Sequence, residues 1–179
     1  MGRGLDVDVH SVVSVFVSRW DRAVAEKVPD TLRNRLGIAV SQQIYRAHRD
    51  LLESERWQRL AGLGARPQRL LFASTGVKDT RLPETFYVNS LVAPNTINTL
   101  PEKTLKALVA IDQLHETLPR DGGDCDEVLA QFTSSGIHVG QLANELQSDG
   151  ARAFVESWKS MLSVIGDKSS AQKEARHLC

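Results

Sequence analysis

The sequence predicts an α/β protein built on a parallel sheet. Three observations carry this. Short strand-like runs occur at 12–18, 70–73 and 95–100, the first two strongly apolar. Helical apolar stripes alternate with them, and charged residues come just beyond the ends of the first two runs.

The first run, Val12 to Ser18 (VVSVFVS), is β-branched and almost continuously apolar, and it gives way to Arg19, Trp20 and Asp21. Such a run reads as a parallel strand buried on both faces. Asp30 or Thr31 is placed to cap a helix to about Leu52, whose stripe includes Leu32, Leu36, Ala39, Ile44 and Leu51. A strand feeding a helix in this way is half of a βαβ unit. A short helix follows at 55–61. After the Gly62, Gly64 and Pro67 punctuation comes the second strand, Leu70 to Ala73, broken by Ser74-Thr75-Gly76 and followed by Lys78 and Asp79. Residues 84–92 read as a short amphipathic helix and Asn95 to Leu100 as a third strand. Pro101 suits the first position of a helix to about Glu116. Beyond a polar loop at 119–126 the pattern is helical, at about 126–134, 138–147 and 150–165. A polar tail, 167–179, is expected to fray. The domain division expected is therefore 1–166 and 167–179.

The bulk numbers exclude several function classes. Lys plus Arg and Asp plus Glu both total 22 in 179 residues, so no net charge draws the chain to nucleic acid or anionic membrane. The cluster Arg56, Arg59, Arg66 and Arg69 near Trp57 is balanced by acids and reads as solvated surface. No stretch approaches the ~20 apolar residues of a membrane span. The polar, acidic start MGRGLDVDVH lacks the form of a signal peptide. Cys125 and Cys179 offer no disulfide framework and no metal spacing, and the five histidines show none either. A cytoplasmic chain without metal or cofactor is expected. Gly62-Leu63-Gly64 precedes a strand instead of following one, which removes a dinucleotide reading.

In parallel α/β folds the side chains past the C-terminal ends of adjacent strands share one rim, where ligands bind. Here the rim would hold Ser14, Ser18 and Arg19, then Ser74, Thr75 and Lys78, then Asn95, Asn98 and Thr99. A guanidinium fork and an ammonium flanked by hydroxyls suit a phosphate dianion. The same residues taken alone are equally compatible with solvated loop charges.

Four segments resemble the transaldolase family. HSVVSVFVSRWD (His10 to Asp21) resembles its sixth-strand motif, a Ser-x-Phe-Val-x-Arg pattern that here is Ser14 to Arg19. GARPQRLLFASTGVKD (Gly64 to Asp79) is similar to the seventh-strand signature of bacterial and plant members. YVNSLVAPNTINTLPEKTL (Tyr87 to Leu105) resembles the final strand and its helix, and LANELQSDGARAFVESWKSML (Leu142 to Leu162) the helices that close across the barrel.

The resemblance covers about residues 5–166 and implies a partial (β/α)8 TIM barrel: its last three strands, their helices and the C-terminal helices. It implies the transfer, in the pentose phosphate pathway, of a dihydroxyacetone unit from sedoheptulose 7-phosphate to glyceraldehyde 3-phosphate. A fourth-strand lysine forms the Schiff base and no cofactor takes part. It also implies Ser14, Arg19, Ser74 and Lys78 as contacts to substrate or phosphate and Phe16 as a pocket wall. The weaker alternative makes Ser14 and Ser74 small strand residues and Phe16 core.

No Ile-Lys-Ile-Pro-Ala-Thr-like strand is present, so the Schiff-base lysine is missing and no catalytic residue is assigned. Lys78 is the one lysine near a strand end. The isolated chain is expected to be inactive, with sugar phosphates as ligands and a complementary N-terminal half, or a second copy joined through open strand edges, as partner. The alternative is a non-catalytic half-barrel that binds sugar phosphates or docks on another chain.

Overall fold

A computed structural model describes residues 6–111, 114 and 117–177, in two units: one ends at Ile137 and the second begins at His138. The first unit contains the sheet. Strands β1 (Val12–Phe16), β2 (Arg69–Ala73) and β3 (Thr96–Asn98) lie in that order and all pair in parallel. The register sets Val15 beside Phe72 and Phe72 beside Asn98. Among the described residues the sheet is open, with β1 and β3 at its edges.

Alternation along the strands sorts the side chains onto two faces. Val15, Leu70 and Phe72 share one face and build the core with Tyr45, Tyr87 and Leu91 from the helical layer. The other face carries Val12, Ser14 and Phe16 beside Leu71 and Ala73.

Helix α1 (Val17–Val24) begins directly where β1 ends. A 3-10 turn at Asp30–Leu32 follows, then α2 (Leu36–Glu53) and α3 (Glu55–Gly62). Ser54 caps α3 by accepting from the Trp57 amide at 3.3 Å. Helices α4 (Phe86–Ser90) and α5 (Glu102–Val109) flank β3, and α6 (Cys125–Ser134) packs against α2 through Cys125, Val128, Leu129 and Phe132, all buried. Gly37 is where α2 meets α1. A Cβ there would lie 2.5 Å from the Val17 carbonyl oxygen and 2.7 Å from Asp21 Oδ2, so only glycine permits the contact. The second unit is one helix, α7 (Val139–His177). No described helix is long and apolar enough to cross a membrane.

Several sequence expectations are corrected. The first strand stops at Phe16 instead of Ser18, because Val17 and Ser18 already close the first turn of α1. It is not buried on both faces: as an edge strand it leaves Val12, Val13 and Ser14 exposed. The helix expected from Asp30 starts at Leu36, since Asn34 adopts φ 60° and separates the 3-10 turn from α2. Strand β3 and helices α4 and α5 are shorter than expected. For α5 the expected end falls partly on residues 112, 113, 115 and 116, outside the described residues.

The last correction is the largest. Two helices and a frayed tail are expected after 138, yet α7 runs unbroken through Gly150 and Gly166 to His177. A helix-interior glycine costs about 1 kcal/mol relative to alanine, which neighbouring good helix formers absorb.

Candidate functional site

The carboxyl ends of the three strands are tied together by short polar contacts. The Ser18 amide donates to the Ser74 carbonyl at 3.0 Å, and the two hydroxyl oxygens are 2.9 Å apart. Ser74 holds φ 57°, a left-handed conformation rare outside glycine, at the point where the chain leaves β2. Thr75, fully buried, donates its hydroxyl to the Thr99 carbonyl at 2.7 Å, and the Thr99 amide donates to Phe72 at 3.0 Å. The laces of this rim are Ser18, Ser74, Thr75 and Thr99, all four among the nine residues that the sequence sets at the strand ends.

Helix α1 divides the functional side chains. Val17, Ser18, Asp21 and Val24 are its buried residues. Arg19 is off that stripe, with its guanidinium 4.1 Å from the centre of the Phe16 ring. That is a cation–π stack; it holds the planar group in place and leaves its N–H edge available. Among the described residues no carboxylate forms an ion pair with Arg19. Ser14, two residues back along the same face of β1, is exposed.

On the buried side of α1 a cleft of about 290 Å³ is lined by Ser18, Asp21, Asn34, Lys78, Asp79 and Tyr87, with several charged neighbours. Of the five residues expected to touch substrate, only Lys78 lines it; Ser14, Phe16, Arg19 and Ser74 do not. The structure thus brings Phe16 and Arg19 together, joins Ser74 to the same rim through Ser18, and sets Lys78 in the cleft.

Asp21, unanticipated from sequence, anchors the cleft floor. It is 4% exposed and accepts from the Gly37 amide at 3.2 Å and the Tyr87 hydroxyl at 2.8 Å. Burial raises its carboxyl above the ordinary range, against the lowering effect of those donors. Tyr87 is pushed up as well, by burial and then by the Asp21 charge. Asp79 is the opposite case: hydrogen bonds from Arg81 and Asn34 hold it well below the usual carboxylate range. No sequence signal identifies Asp21 or Tyr87, because their contact spans 66 positions. Among the described residues no group of three or more His, Cys, Asp or Glu is placed to hold a metal ion.

The ends of this parallel sheet thus gather the hydroxyls of Ser18, Ser74, Thr75 and Thr99, and Arg19 lies on Phe16 just past the end of β1. Residues 4–165 match the model of the transaldolase/fructose-6-phosphate aldolase family. The chain belongs to that family. Similar relatives, each named a transaldolase, are found in Parafrankia sp. strain EAN1pec (37% identical, covering 94% of this chain and 48% of the relative) and Arthrobacter sp. strain FB24 (39%, 96% and 49%). One from Neisseria meningitidis serogroup A is 36% identical, covering 88% of this chain and 45% of the relative. The chain thus spans about half the length of the transaldolases it matches. The family match includes β1, β2 and β3 and every residue of the rim just described.

Proposed function

We propose that these 179 residues form the phosphate-gripping side of a transaldolase-type (β/α)8 barrel, its last three strands with their helices, and that the Schiff-base lysine comes from outside them. In this reading the complete site moves a dihydroxyacetone unit from sedoheptulose 7-phosphate to glyceraldehyde 3-phosphate. The lysine amine condenses with the ketose carbonyl, releasing water, and the protonated imine takes up the electron pair of the breaking C–C bond. The aldose leaves, the enamine adds to the acceptor aldehyde, and water returns the amine. The pathway is the pentose phosphate pathway, in the cytoplasm.

The observation that carries the proposal is Arg19, presented on Phe16 at the C-terminal rim of a parallel sheet with no carboxylate paired to it among the described residues. A guanidinium so held matches two phosphate oxygens. Ser14 and Ser74 would add hydroxyl contacts and Lys78 a point charge at the edge of its cleft. The half-length match to relatives named transaldolase supports the same reading. So does the absence of lysine from all three strands, VVSVF, RLLFA and TIN.

Borohydride reduction in the presence of fructose 6-phosphate tests it. Mass spectrometry should find no adduct on the isolated chain, and an adduct on the added half when the lysine-bearing N-terminal half of a related transaldolase is supplied. Covalent labelling of the isolated chain would overturn the missing-amine reading. In the reconstituted enzyme Arg19→Ala should raise KM about 10–100-fold, the loss expected for charge-assisted hydrogen bonds.

The exposed Val12 and Val13 on edge strand β1 favour a second reading, a non-catalytic half-barrel that docks on a partner through that edge. Under it, the isolated chain binds fructose 6-phosphate and reconstitution yields no turnover.

A further inference from the structure

One residue of α1 holds the point where the chain leaves β2 in two ways. The Ser18 amide donates to the Ser74 carbonyl at 3.0 Å, and the Ser18 hydroxyl lies 2.9 Å from the Ser74 hydroxyl. Ser74 itself sits at φ 57°, where a Cβ is disfavoured and glycine would be the relaxed choice. The next residue, Thr75, is fully buried and committed to the Thr99 carbonyl, so the chain is pinned on both sides of the strained peptide. A serine kept in such a conformation by its surroundings points to a use for its hydroxyl.

The two hydroxyls are not equivalent. Ser18 is 8% exposed, Ser74 is only part-buried, and among the described residues neither hydroxyl bonds to any other group. With Ser18 as donor, the Ser74 oxygen accepts and the Ser74 hydrogen is left free at the rim. The oxygens of a phosphate dianion only accept, so an anion at the rim selects this direction, and hydrogen bonds chained in this way strengthen one another. Ser18 and Arg19 are consecutive in the first turn of α1. The turn that sets the guanidinium on Phe16 therefore also fixes where the Ser74 hydroxyl stands relative to it.

We propose that Ser18 is a positioning residue. It does not touch the phosphate; it holds the Ser74 hydroxyl, hydrogen outward, at a fixed offset from Arg19 so that both groups grip one phosphate. The inference rests on the reading of Ser74 and Arg19 as contacts to a sugar phosphate.

Isothermal titration of the full chain with fructose 6-phosphate tests it through a double-mutant cycle. Ser18→Ala should weaken binding about 3–10-fold, the worth of one hydrogen bond, and Ser74→Ala at least as much. The double variant should bind no worse than Ser74→Ala alone, because Ser18 acts only through that hydroxyl. A general loosening of α1 would instead lower affinity in both backgrounds alike. Ser18→Cys keeps the side-chain bulk with a much weaker donor and should weaken binding in the same sense; it carries the test if circular dichroism shows that alanine unsettles the helix. Wild-type affinity in either single alanine variant overturns the proposal. So does a Ser18→Ala loss that persists undiminished beside Ser74→Ala. Both results leave the phosphate-gripping reading standing, whereas a wild-type chain that takes up no fructose 6-phosphate overturns that reading and this inference with it.

Discussion

Asp21 and Gly37 show how single residues hold the rim in place. The carboxylate of α1 reaches the first turn of α2 only because position 37 has no Cβ. Gly37→Ala should cost about 3 kcal/mol, the upper range for overpacking a tight contact, because the nearest obstacle is the Val17 backbone and cannot swing aside. Urea midpoints would show it, and an unchanged midpoint would mean the helices separate freely.

Asp21 adds a pH signature. Its folded-state carboxyl is raised above the ordinary 3.8, so the folded chain binds its proton more tightly than the unfolded chain does. The stabilisation is complete below about 3.8 and is lost as pH rises through the folded value. Relative to an Asp21→Asn variant, the wild type should therefore lose stability as pH rises above about 4. The lowered carboxyls Asp8, Asp79 and Asp126 act in the opposite sense, losing stabilisation as pH falls, but they are common to both proteins and cancel in the difference. A difference in urea midpoint that is flat with pH would refute the burial account.

The elements most legible in the sequence are those whose neighbours are local. Strand β2 and helix α3 lie within a residue of their expected limits, because an aliphatic run bounded by turn residues and a Ser54 cap are near-neighbour effects. Helix α6 also matches, and its buried stripe predicts its energetics: Phe132, fully buried against α2, should cost about 3–5 kcal/mol on replacement by alanine, measurable by denaturant unfolding. Boundaries that depend on distant partners were not legible. The first strand gives way to α1 at Val17 because the Ser18 amide finds the Ser74 carbonyl, 56 positions away. The continuity of α7 through two glycines was hidden by local propensity, which favours a break there.

At the scale of the molecule, the three-stranded sheet leaves two edges and a thinly covered face, the features a larger α/β assembly would bury. A complementary half that binds only the folded chain should raise its stability by about 2.7 kcal/mol at a hundredfold excess over Kd. Thermal unfolding with and without that half would read this directly, and an unchanged transition would show that the edge strands are not its docking surface.

From the sequence alone came the parallel α/β class, the order of strands and helices, the family motifs and the residue types at the strand ends. All are written in short-range pattern, where periodicity and turn chemistry act. The tertiary structure decided that Arg19 lies on Phe16 while Lys78 joins Asp21 and Tyr87 in a separate cleft. It also decided that the first strand is an exposed edge. The physical reason is that side-chain partnership depends on which distant backbone segments are brought within a few ångströms, and no local spacing encodes that.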